Sequence, residues 1–196
     1  ETGKGERYGK GKDLLAPNGK PSNLNAVQHA QVRTAAFKKW FGDWENDPEN
    51  ASKVVDENGE PKVMYHGTGS DIRIFDPSKT RNVEGVFLAP DAEHAGTYAN
   101  SFSGLPNRAP NIIAAYVNIK SPATIEGDDF SIDALESAHS QGDKDGIFVI
   151  EDDGSIHSIV AFEPNQIKSA IGNTGAFSTE TPDIRYALHA DPAVND

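Results

Sequence analysis

The sequence predicts an α+β fold of several short strands with a few short helices, and three observations lead there. Apolar runs are strand-sized: the longest reads from Asn111 to Ile119, well short of the ~18–20 residues a membrane span requires. Turn signals such as Asn58-Gly59 and Asp152-Asp153-Gly154 punctuate the chain between those runs. Helical periodicity appears only in isolated stretches, without the regular strand–helix alternation of a doubly wound sheet. At 196 residues the chain suits one domain with an appendage.

Residues 1–23 are rich in glycine and proline and lack apolar periodicity, so they read as a flexible lead-in. The first four residues are polar and read as a fusion scar, not a signal peptide. Residues 24–50 form a helical segment. Phe37, Trp40, Phe41 and Trp44 make an i, i+3, i+4, i+7 stripe, with Thr34 as a capping residue and Asp47-Pro48-Glu49 as the stop. The stripe reads as a docking face on the core; a partner-binding face is the alternative. Val54-Val55 and Val63 to His66 then read as strands joined through the turn from Asp56 to Pro61. Gly85 to Leu88 is a strand, and Asp91 caps a helix running through Ala95 to Ala99. Ile112 to Ile119 is a strand, and Ser131 to Ser140 a helix. Gly146 to Ile150 and Ile156 to Phe162 pair across the Asp152-Asp153-Gly154 turn. The tail from Thr179 onward is polar and its end reads as disordered.

Eighteen basic residues against thirty acidic ones leave a net charge of −12. Long-range repulsion at that charge opposes unaided binding to nucleic acid. The absence of cysteine removes disulfides, thiolate nucleophiles and cysteine-based zinc sites, and it fits a cytosolic compartment. The six histidines show no paired ligand spacing, so no metal site is expected.

Three segments carry polar groups at the ends of apolar runs. Tyr65-His66-Gly67-Thr68-Gly69 ends a strand in an imidazole and residues that allow close backbone approach. Gly85-Val86-Phe87-Leu88-Ala89 leads into a helix presenting Tyr98-Ala99, with His94 and Phe102 one turn away. Ile159 to Ser169 runs from an apolar strand into Glu163, Gln166 and Lys168. Singly, each has a structural reading as a core histidine, a core aromatic or a solvated strand end.

Read in order, Val-Met-Tyr-His-Gly-Thr (63–68), Gly-Val-Phe-Leu-Ala (85–89), Tyr98-Ala99, Asp145-Gly146-Ile147 and Gln-Ile-Lys-Ser-Ala-Ile-Gly-Asn-Thr-Gly (166–175) resemble the ADP-ribosyltransferase superfamily. The resemblance is to its histidine–tyrosine branch, shared with diphtheria toxin and the poly(ADP-ribose) polymerases. Within that branch it is nearest the transferase domain of phage and conjugative-element polyvalent proteins. It covers about residues 24–187, with 51–187 as the catalytic domain and 188–196 as a tail.

The resemblance implies a split β-sheet core with NAD, as substrate, in the cleft between two small sheets. It implies that His66 bonds the adenosine ribose hydroxyl and that Gly67, followed by Thr68, holds the nicotinamide carboxamide through the backbone. Tyr98 would stack on the nicotinamide ring, with Phe87 as a second wall; an aromatic face suits a pyridinium. The family's usual glutamate aligns with Ser158, so Gln166 is taken as the group that orients the reacting ribose, ahead of Glu163 and Glu151. A neutral amide makes hydrogen bonds about half as strong as a charge-assisted one, which favours transfer of a single ADP-ribose over chain growth. The implied function is NAD-dependent mono-ADP-ribosyl transfer to a macromolecule, a host protein first, with no metal and no membrane partner. The alternatives are an NAD glycohydrolase and a degenerate module that binds NAD, ADP-ribose or a partner.

Overall fold

Among the described residues, seven strands divide into two sheets that share a hydrophobic core and are joined by one backbone bridge. In one, β1 (Met64–Thr68), β3 (Asn111–Val117) and β7 (Ile167–Ser169) lie in the order β1-β3-β7, all antiparallel. The other contains β2 (Val86–Leu88), β4 (Pro122–Glu126), β5 (Gly146–Ile150) and β6 (Ile156–Ala161), in the order β2-β6-β5-β4. Between the sheets, Tyr65 donates its amide to the Ala89 carbonyl at 2.9 Å and Ala89 returns the bond at 2.8 Å. This computed structural model describes residues 14–80, 83–173 and 175–185. The expected tail at 188–196 and most of the lead-in lie outside those residues. No helix among them is long and apolar enough to cross a membrane.

The fold is α+β, as the sequence predicts, with one unit the pattern did not suggest. β4 and β5 are parallel, joined through helix α4 (Ile132–His139), so a single βαβ crossover interrupts an otherwise antiparallel layout. β4 is an edge strand that opens on Pro122, which lacks an amide to donate. Only an edge or a strand start accepts that residue without losing a ladder bond.

Two short helices precede the sheets: α1 (Ala26–Gln31) and α2 (Ala35–Phe41). The Thr34 hydroxyl accepts the Phe37 amide at 3.2 Å, capping α2 as expected. The helix ends earlier than the Asp47-Pro48 signal suggests, at Gly42 with φ 102°. A Cβ there would lie 2.4 Å from the Ala51 Cα, so the chain turns where only glycine fits. The aromatic stripe is buried, which settles its role as a docking face. Phe37 packs at 5.0 Å from Tyr116 of β3 and 4.9 Å from Phe177. Both indoles are satisfied, Trp40 by the Asn165 carbonyl and Trp44 by the Val32 carbonyl, each at 3.0 Å.

The expected hairpin across Asp56 to Pro61 shrinks to one bridge, Val55 with Pro61. Glu60 explains part of this. It is fully buried, accepts from Ser22 Oγ at 2.5 Å and pairs with Arg33 at 2.9 Å, which draws the turn toward α1 and α2. β1 pairs with β3 instead, Met64 opposite Ala115 through Thr68 opposite Asn111. Helix α3 (Ala92–Asn100) packs across β1 and β3, and Asp91 caps it by accepting the His94 amide at 2.7 Å.

Candidate active site

Where the sheets meet, β1, β2, β6, α3 and α4 leave a cleft of about 420 Å³. His66 of β1, Phe87 of β2 and Tyr98 of α3 all line it, so three residues from separate elements share one space. Phe130 and Leu135 close one side, and His157 and Ser158 of β6 supply polar groups.

His66 is held in one tautomer. Its Nδ1 lies 2.8 Å from the Phe87 carbonyl, which can only accept, so Nδ1 carries the proton and Nε2 is the acceptor. Burial pushes the imidazole pKa below its ordinary 6.5, and the carbonyl bond offsets this only in part. A neutral ring results. Phe75 meets it edge-on at 5.0 Å.

Gly67 has a packing reason of its own. A Cβ at this position would lie 2.0 Å from the Ala95 carbonyl oxygen of α3. The missing side chain lets α3 sit down on β1, and that contact sets the height of Tyr98, three residues beyond Ala95. The Tyr98 side is 64% exposed and its ring lies nearly parallel to His94, at 6.0 Å and 22°. Phe87, in register with Val160 of β6, forms a more buried apolar wall.

Two residues expected at the site stand elsewhere. Thr68 is buried and does not line the cleft; its hydroxyl accepts the Ser70 amide at 3.3 Å. Gln166 is also absent from the lining, and its amide is fully engaged. Nε2 donates to the carbonyls of Asp145 at 2.7 Å and Asn118 at 2.9 Å, while Oε1 accepts the Glu163 amide at 2.8 Å. The Gln-Ile-Lys-Ser motif therefore ties β7 to the start of β5. Glu163 does not reach the cleft either, whereas Ser158 does.

Sequence reasoning passed over His157 and gave Glu151 a minor place. The two are joined, His157 Nδ1 to Glu151 Oε1 at 2.5 Å. The His157 ring also meets His94 in a T-shaped contact at 5.1 Å. A bulge explains the placement. Val149 pairs with Ser158 but Ile150 pairs with Ile156, leaving His157 as the extra residue. Ile156 and Ile159 both pack on the same core cluster although three positions apart, which regular alternation forbids. The bulge resolves that conflict and sets His157 and Ser158 side by side on the cleft. The pattern apolar-polar-polar-apolar over residues 156–159 carried that signal.

Comparison with known proteins gives one family. No curated protein matches the chain. Residues 56–145 match the family model described as ADP-ribosyltransferase in polyvalent proteins, a span that contains His66, Phe87 and Tyr98 and stops before β5 and β6. A neutral histidine and an exposed tyrosine over a shared cleft agree with that match, and residues 56–145 are similar to the ADP-ribosyltransferase domain of polyvalent proteins.

Proposed function

We propose that the chain is an NAD-dependent mono-ADP-ribosyltransferase that breaks the nicotinamide–ribose bond and passes ADP-ribose to a host protein. The match over residues 56–145 supports ADP-ribosyl transfer in general. The NAD assignment rests on one observation, the convergence of His66, Phe87 and Tyr98 on a single cleft. His66, neutral with Nε2 as acceptor, suits a ribose hydroxyl. Tyr98 and Phe87 offer aromatic faces to the cationic nicotinamide ring. No Asp or Glu lines the cleft among the described residues, which favours a single transfer over chain elongation.

Purified protein incubated with NAD is expected to release nicotinamide and to label a protein in host lysate. Tyr98→Ala should lower that rate about two- to fivefold, since a cation–aromatic contact at an exposed ring contributes about 0.5–1 kcal/mol. Rates equal to wild type would remove Tyr98 from the site. Free ADP-ribose formed in stoichiometric yield without labelled protein would indicate hydrolysis in place of transfer.

A further inference from the structure

We infer that Glu151 and His157 form a carboxylate–imidazole pair in which His157 is the general base for a hydroxyl-bearing acceptor; this rests on the NAD-cleaving reading above. Three independent observations meet here. His157 lines the same cleft as Tyr98 and His66. The β6 bulge turns it there beside Ser158, against the alternation of the strand. Glu151 holds its Nδ1 at 2.5 Å from outside the cleft lining.

The tautomer follows from the partner. A carboxylate only accepts, so Nδ1 carries the proton and Nε2 is left as the basic nitrogen. A nucleophile's base fixed by a third group is a recurring catalytic arrangement. Glu151 acts through the ring and is a positioning residue. The titratable groups facing His157 are Glu151 from the adjoining turn, His94 with Tyr98 from α3, and His66 across the cleft. No Lys or Arg lines the cleft among the described residues.

The base selects the acceptor. As the C1′–N bond of NAD breaks, its electron pair goes to the ring nitrogen and neutral nicotinamide leaves. A lone pair on the acceptor oxygen forms the new C1′–O bond, and the proton of that oxygen passes to His157 Nε2. The imidazolium that results is stabilised by the Glu151 carboxylate and later yields its proton to water. A hydroxyl needs such a base because it becomes strongly acidic only as it bonds to carbon. A carboxylate acceptor needs none, and a guanidinium or ammonium must lose a proton before it attacks, one it holds far more tightly than an imidazole can take. Water and the side chains of serine, threonine and tyrosine share the required chemistry.

The test measures nicotinamide release and NAD binding by calorimetry, across about pH 5 to 9, for wild type, His157→Gln, Glu151→Gln and His94→Gln. Wild-type kcat is expected to rise with pH. His157→Gln should flatten that rise and lower kcat by about 10²–10⁴, with the NAD dissociation constant unchanged. Glu151→Gln should lower kcat by up to about 10⁴ by releasing the ring to the wrong tautomer, with KM kept. Mass spectrometry then separates the acceptors: free ADP-ribose alone identifies water, and adducts on serine, threonine or tyrosine identify a protein hydroxyl. A His157→Gln profile like wild type, or loss of the rise in His94→Gln in its place, overturns the inference. So do adducts confined to arginine, lysine or acidic side chains. Wild type that neither binds NAD nor releases nicotinamide defeats the NAD reading itself, and is told apart by failing before any substitution is made.

Discussion

Lys168 lies fully buried in β7, its Nζ donating to the Thr181 carbonyl at 2.5 Å. Burial pushes its pKa down to about 8, with the Asp183 charge opposing the shift. The consequence for stability has a definite sign. Between about 8 and 10.5 the unfolded chain holds this proton more tightly than the folded one, so stability rises with pH across that window. Below it the ammonium is buried charged, at a cost of about 3 kcal/mol relative to the alkaline end. Lys168→Met removes the titration. Denaturant melts should show wild type gaining on the variant by about that amount as pH climbs through the window, and parallel curves would show that the ammonium is solvated. Lys168 sits in the Gln-Ile-Lys-Ser motif, and with Gln166 it does structural work: one ties down the segment at Thr181, the other braces Asn118 and Asp145.

At the scale of elements, β1 and α3 are coupled through the missing side chain of Gly67. Gly67→Ala must push the Ala95 carbonyl away from 2.0 Å, which displaces α3 and with it Tyr98. Overpacking of this kind costs about 1–3 kcal/mol. The variant is expected to melt lower and to lose nicotinamide release by more than its unfolded fraction explains. Activity that tracks folded protein alone would uncouple the two elements. How far these elements could be read in advance depended on how local their determinants are. Helix starts were legible because Thr34, Asp91 and Ser131 cap through their own side chains. β4 and β7 were not. They have five and three residues, and their partners lie far along the chain, so the runs are too short to stand out locally. The cleft residues His66, Phe87 and Tyr98 were legible from motif order. His157 was hidden because a bulge, set by pairing with β5, turns its side chain.

Across the whole molecule, the N-terminal helices and the sheets share one interior. Phe37 bridges them, stacked on Phe41 at 5.0 Å and edge-on to Tyr116 and Phe177. Phe37→Ala should therefore cost about 3–5 kcal/mol and lower a single calorimetric transition. A separate early transition belonging to residues 24–50 would show those helices to be an independent unit. The Tyr65–Ala89 bridge carries an implication for motion. It fastens the strand bearing His66 to the strand bearing Phe87 by two reciprocal amide bonds, one residue from the first and two from the second. That end of the cleft is pinned by backbone bonds, so its width there is set before any ligand arrives. Any adjustment to a ligand is then left to side chains such as Tyr98 and Phe130, which line the same cleft with their faces in solvent.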